Sequence, residues 1–134
     1  MKLGLALRWS VVVAGTAVIF YFSSRSHLNL GQAAFEGADK LEHAAVFLVW
    51  AWTFSWALAA TFPGLGKLRG LYLAALAGTL YGAFDELHQR HVLGRTAALA
   101  DLAADAAGAL LGAALHAARR RNSPGVQEQP SPPA

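Results

Sequence analysis

The sequence predicts an all-α integral membrane protein: a four-helix bundle with both termini cytoplasmic. Three observations lead there. Only 14% of the 134 residues are charged while 55% are hydrophobic, and the mean hydropathy is +0.37; soluble domains carry about a quarter charged residues. Four apolar runs approach the ~20 residues that a spanning helix requires. The Lys and Arg residues fall unequally on the two sides those runs define.

The first run is 3–22, interrupted only by Arg8, which lies close enough to its end to snorkel to the interface. Its apolar stretch is long for a signal peptide and "YFSSRSHL" offers no cleavage pattern, so it reads as a retained helix. The second run, 41–62, stops at Pro63-Gly64. The third, 68–87, has a short uninterrupted apolar part, Gly70–Phe84. The fourth, 96–118, contains Asp101 and Asp105. These runs set a transmembrane domain over 1–121, followed by a polar, proline-rich tail over 122–134 that reads as disordered.

Seven basic residues (Lys2, Arg8, Lys67, Arg69, Arg119, Arg120 and Arg121) lie on one side, against four (Arg25, Lys40, Arg90 and Arg95) on the other. By the positive-inside rule the first set is cytoplasmic. The acids Glu36, Asp39, Glu42, Asp85 and Glu86 then face outward. The chain has no cysteine, which excludes disulfides and thiolate metal sites. Its net charge of +3 is small, and no nucleic-acid partner is expected.

Helical spacing gathers the polar residues. At 100° per residue Ala74, Gly78, Gly82, Asp85, Glu86 and Gln89 share one broad face of the third helix. In the fourth, Asp101, Asp105, Gly108 and Gly112 fall on a narrow arc, with Leu99, Leu102 and Leu110 opposite. Gly78, Gly82, Gly108 and Gly112 are therefore the expected helix-packing positions, where small residues let backbones approach. An Asp at the centre of a spanning helix costs about 2.5–3.5 kcal/mol, and a Leu returns only about 0.3–0.6. The fourth run, with two Asp against five Leu, needs neighbours that cover its acidic face. Intramembrane acids are functional candidates by default.

At the start of the second run, Asp39-x-x-Glu42 reads as a capping box. Lys40 and His43, three residues apart, share a face, and His43 leads a stripe of Phe47, Trp50 and Phe54. His27 and His116 lie on opposite sides and share no motif. Trp50, Trp52 and Trp56 read as packing or lipid contacts. The expected pocket is outward-facing and built from Lys40, His43, Asp85, Glu86, Gln89, Arg95, Asp101 and Asp105.

Taken in order, these residues resemble the VanZ-like family of small integral membrane proteins. "FSSRS" resembles its Ser-Ser motif at Ser23 and Ser24. "DKLEHAAVF" resembles its D-K-x-x-H motif at Asp39, Lys40 and His43. "YGAFDELHQRHVLGR" is similar to its Y-G-x-x-D-E-x-x-Q…R motif at Tyr81, Gly82, Asp85, Glu86, Gln89 and Arg95. "ADLAADAAGALLG" resembles the stretch that follows, at Asp101, Asp105, Gly108 and Gly112. Three positions depart from the pattern: Ala44 stands where an aromatic residue is common, Leu93-Gly94 replaces a proline, and Asp105 replaces a common Asn. The resemblance implies a protein of the bacterial cell envelope in the inner (cytoplasmic) membrane; the family's namesake is associated with low-level resistance to teicoplanin.

Three classes of function remain open. A binding protein would hold a lipid head group, an envelope precursor or a glycopeptide-type ligand, with Lys40, Arg90 and Arg95 meeting phosphates. A membrane enzyme acting on a lipid-linked substrate would use His43, Glu86 or Asp85 as the catalytic candidates, by acid/base or metal-assisted chemistry. No metal ligand set is assigned, although a His with several carboxylates could hold a divalent metal. The third class is a purely structural or assembly role. A transporter would need polar residues in the cytoplasmic half, and the sequence gives few.

Overall fold

The computed structural model describes residues 2–25 and 37–120. These form four helices in chain order: α1 (Lys2–Ser23), α2 (Ala38–Thr61), α3 (Lys67–Gln89) and α4 (Leu99–Arg119). The expected all-α architecture is what the structure shows. Helices α1, α2 and α4 are long and apolar enough to cross a membrane. Helix α3 is 23 residues long, but Lys67 and Arg69 at one end and Asp85 and Glu86 near the other dilute its apolar part. Leu7, Val13, Leu80, Phe84, Leu99 and Leu110 lie exposed on the outer faces. A soluble monomer rarely carries so much exposed apolar surface; in lipid it is the expected exterior. The proline-rich tail and His27 lie outside the described residues.

The bundle is organised around α4. An added Cβ at Gly108 would overlap the Ala44 carbonyl oxygen and lie 2.8 Å from its carbon; at Gly112 it would overlap the Leu48 carbonyl oxygen. Helices α2 and α4 therefore touch backbone to backbone, with a four-residue step on each that keeps the contact in phase. On α3, a Cβ at Gly78 would come within 2.5 Å of the Ala109 Cβ, and one at Gly82 within 2.8 Å of the Asp105 Cβ. Helix α4 is thus held between α2 and α3 by small residues on both flanks. Its exposed leucines, Leu99, Leu110, Leu111 and Leu115, point away from these contacts.

Helix α1 is attached differently, mostly through aromatic side chains. Trp50 Nε1 donates to Thr16 Oγ1 at 2.9 Å, and the Tyr81 hydroxyl donates to the Thr16 carbonyl at 2.8 Å. Trp50 stacks between Phe54 and Tyr81, with ring centroids 5.1 and 5.4 Å away. Val12, Ile19 and Phe47 complete this core. At the far end Trp9 Nε1 donates to Thr61 Oγ1 at 3.0 Å. Arg8 reaches α2: it donates to the Trp56 carbonyl at 3.1 Å and lies over the Trp56 ring.

The capping box is corrected. Helix α2 starts at Ala38 with Gly37 as its N-cap, at φ 86°, and no side chain caps it. Asp39 therefore sits inside the first turn, where Lys40 Nζ meets its Oδ2 at 2.5 Å. Helix α4 begins at Leu99, later than the apolar pattern suggested, because the chain before it is extended at Ala98.

Candidate functional site

One end of the bundle collects the polar residues. Asp85, Glu86 and Gln89 end α3; Asp101 and Asp105 open α4; Lys40 and His43 open α2; Ser23 ends α1. Asp85, Glu86, Gln89, Asp101, Asp105 and Ser23 are all buried, with Asp105 fully shielded. Burying a carboxylate without partners is costly, so the partners decide what this end can do.

The structure divides the polar residues into two groups, one on each side of α3. Asp85 and Glu86 are consecutive, so their side chains diverge by about 100°. Asp85 turns toward α1. Its Oδ2 accepts from Ser23 Oγ and from Gln89 Nε2, both at 2.7 Å, while Oδ1 is buried with no partner. Arg95 joins this side: its guanidinium donates to the carbonyls of Phe22 at 3.1 Å and Arg25 at 3.3 Å, at the end of α1. The turn that delivers Arg95 passes through Gly94 at φ 81°, a backbone state glycine adopts without steric cost. On the exposed face, Ser24 Oγ donates to the Phe20 carbonyl and sits 2.9 Å from His88 Nε2.

Glu86 turns the other way, toward α4. Its Oε2 accepts from the Ala98 backbone N–H at 2.9 Å, occupying the helix N-terminus that no local side chain caps. Its Oε1 is buried and unpartnered. Asp105 Oδ1 accepts from His43 Nδ1 at 2.9 Å, and Oδ2 is likewise buried and unpartnered. Asp101 Oδ1 has no directional hydrogen bond; its neutraliser is Lys40 Nζ at 2.5 Å. Lys40 thus spans Asp39 and Asp101 and is committed to α4. One donor atom each from His43, Glu86 and Asp105 lies within 4.8 Å of the others, a spacing that could hold a metal ion.

A cavity of about 260 Å³ opens beside the first group. Its apolar wall is Val18, Ile19, Phe22, Val46 and Phe47; its polar rim is Ser23, Asp39, Glu42, His43, Asp85, Gln89 and Arg95. Of the eight residues expected to form one pocket, His43, Asp85, Gln89 and Arg95 line this cavity. Lys40, Glu86, Asp101 and Asp105 pack into the α2–α3–α4 junction behind it. His43 belongs to both, facing the cavity and bonded to Asp105. Arg90 is exposed and lines a second groove with Glu86 and Leu99.

Ser23 was visible as part of the Ser-Ser motif but not as a site residue. Its signal is a small hydroxyl ending an apolar helix at the level of the α3 acids. Glu42, read as half of a cap, lines the cavity instead.

A family model described as VanZ/LLP1 matches residues 7–120. The chain belongs to the VanZ-like family. The match begins within α1 and runs through α4 of this multi-pass membrane protein. Among curated proteins and among solved structures, nothing matches the chain.

Proposed function

We propose that this VanZ-like protein binds an amphiphilic envelope molecule, a lipid head group with part of its chain or a lipid-linked precursor, in the cavity between α1, α2 and α3. The observation that carries this reading is the composition of the wall. Five apolar residues line one side, and Ser23, His43, Asp85, Gln89 and Arg95 lie on the rim. An apolar slot beside a few fixed polar groups suits a molecule with an acyl or prenyl chain and a polar head. Arg95, held by the Phe22 and Arg25 carbonyls, brings a positive charge to the rim that suits a phosphate or carboxylate, and the acids suit an amino group. A glycopeptide-type ligand would use the same rim. In this reading the cavity faces the outside of the bacterial inner membrane and both termini lie in the cytoplasm, as the distribution of Lys and Arg supports.

Native mass spectrometry of the purified chain tests this, with Val46→Trp as the plugged variant. Val46 lines the cavity wall but takes no part in the polar network. A lipid or small molecule carried by the parent and lost in Val46→Trp supports the reading; equal retention, or none in the parent, refutes it.

A second reading, a membrane enzyme acting on a lipid-linked substrate, is favoured by one observation. His43 is oriented by a fully buried Asp105 at 2.9 Å while it faces the cavity. A base held by a carboxylate is the arrangement general acid/base catalysis uses. His43→Gln would then abolish turnover of the bound lipid while leaving its retention intact.

A further inference from the structure

The junction behind the cavity has a charge problem that the lipid-binding reading does not use. Glu86 and Asp105 meet there, each with one carboxylate oxygen satisfied and the other buried without a partner. Among the described residues, the ion pairs at this junction are Lys40 with Asp101 and His43 with Asp105. Lys40 is already shared with Asp39. Glu86 has a single backbone N–H to offset its charge. Two carboxylates with open, water-excluded oxygens on facing helices are the arrangement a cation resolves.

We infer that His43, Glu86 and Asp105 form a binding site for a divalent cation of the Zn²⁺ or Mn²⁺ type, with one ligand from each of α2, α3 and α4. Three observations converge on it. The donor atoms of the three residues already lie within 4.8 Å of one another. A zinc-like ion with ligands about 2.1 Å away holds tetrahedral donors about 3.4 Å apart, so closure by at most about 1.4 Å completes the set. The two unpartnered oxygens, on residues more than nine-tenths buried, belong to this same set. The histidine and the aspartate also already face each other: an ion shared by them would take the place of the proton between His43 Nδ1 and Asp105 Oδ1, which lie 2.9 Å apart.

The donor chemistry selects the ion class. One imidazole with two carboxylates suits zinc, manganese or iron, whereas magnesium and calcium favour all-oxygen shells. Three protein ligands leave a coordination position for a water or a phosphate oxygen. His43 faces the cavity, so such a position would connect the ion to whatever lies there. The ion would also tie α2, α3 and α4 together at the end where α4 carries its acids.

The test uses the full chain in detergent, stripped with EDTA and dialysed against Zn²⁺ or Mn²⁺. Bound metal per chain is then measured by elemental mass spectrometry and affinity by titration, with no lipid added, so the outcome is independent of lipid retention. The parent is expected to hold one ion per chain and to melt higher with it than without. Glu86→Gln and His43→Gln are expected to weaken binding by about tenfold or more. Both are judged on preparations whose metal-free melting shows a folded protein, and either one suffices. Asp39→Asn, on the rim but outside the ligand set, is expected to retain the ion. A parent that holds no ion overturns the inference, as do ligand variants that bind as the parent does, or an Asp39→Asn variant that loses the ion equally.

Discussion

Gly108→Ala places a methyl group where the backbone of α2 already lies. The new Cβ would overlap the Ala44 carbonyl oxygen and sit 2.8 and 2.9 Å from its carbonyl carbon and Cα. Carbon atoms rest about 3.5–4.0 Å apart, so α2 and α4 must separate by roughly 0.7–1.1 Å at this point. Neither partner can rotate away, because the obstacle is main chain. One turn from Gly108 lies Asp105, whose bond to His43 on α2 is 2.9 Å long. The same separation stretches that bond past the useful range for a hydrogen bond. Overpacking costs about 1–3 kcal/mol. Leaving a buried acceptor without its bond adds about 1–3 kcal/mol. The better helix propensity of Ala returns about 1 kcal/mol. The expected net loss is therefore about 1–5 kcal/mol. Thermal or SDS-induced unfolding in mixed micelles, followed by helical circular dichroism, measures it. A Gly108→Ala variant as stable as the parent would show that α2 and α4 do not meet at this contact.

Other perturbations separate the remaining contacts. Gly15→Ala is the converse case: its Cβ would meet only Trp50 Cδ1, at an ordinary 3.7 Å, so the same assay should show stabilisation by about 0.5–1 kcal/mol. Thr16→Val keeps the shape but removes the acceptor for Trp50 Nε1; a loss of about 1–3 kcal/mol is expected, and an unchanged melting curve would exclude a role for that bond. Asp101→Ala should cost about 1 kcal/mol, less than the loss of a sealed ion pair, because Lys40 is part exposed and keeps Asp39; a loss as large as that of Asp105→Ala would contradict this ranking. Arg95→Lys removes the planar fork that reaches the carbonyls of Phe22, in the last turn of α1, and Arg25, just beyond it. Faster amide exchange at the end of α1, with α2–α4 unchanged, is the expected readout.

Much of this architecture can be read from spacing alone. Ala74, Gly78, Gly82, Asp85, Glu86 and Gln89 are all buried on α3, and Asp101, Asp105, Gly108 and Gly112 on α4, as rotation by 100° per residue groups them. A face, however, does not name its neighbour. Asp85 and Glu86 share a broad arc but serve different helices, one bonded to Ser23 and the other to the start of α4. That division depends on which helix stands on which side of α3, and a local repeat carries no information about it. The capping box failed for a local reason: Gly37 takes a positive φ and opens the helix ahead of Asp39, and Lys40 then competes for the carboxylate. The partner of Trp50 was equally hidden, because Thr16 lies 34 residues earlier within an apolar run.

The position of α4 between its neighbours also sets an order in time. It is the last of the four helices to be synthesised, yet it supplies the surface that both α2 and α3 need. Until it arrives, Lys40 and His43 lack Asp101 and Asp105, and Glu86 lacks the Ala98 amide. The carbonyls of Ala44 and Leu48 likewise await the two glycines that fit against them. Helix α4 in turn carries two aspartates that a bilayer resists, so its entry depends on partners already waiting. Biogenesis is therefore reciprocal: the first three helices stay incompletely matched in the membrane, and the fourth enters by completing them. A chain ending before Ala98 would leave Lys40 without Asp101, His43 without Asp105 and Glu86 without its backbone donor.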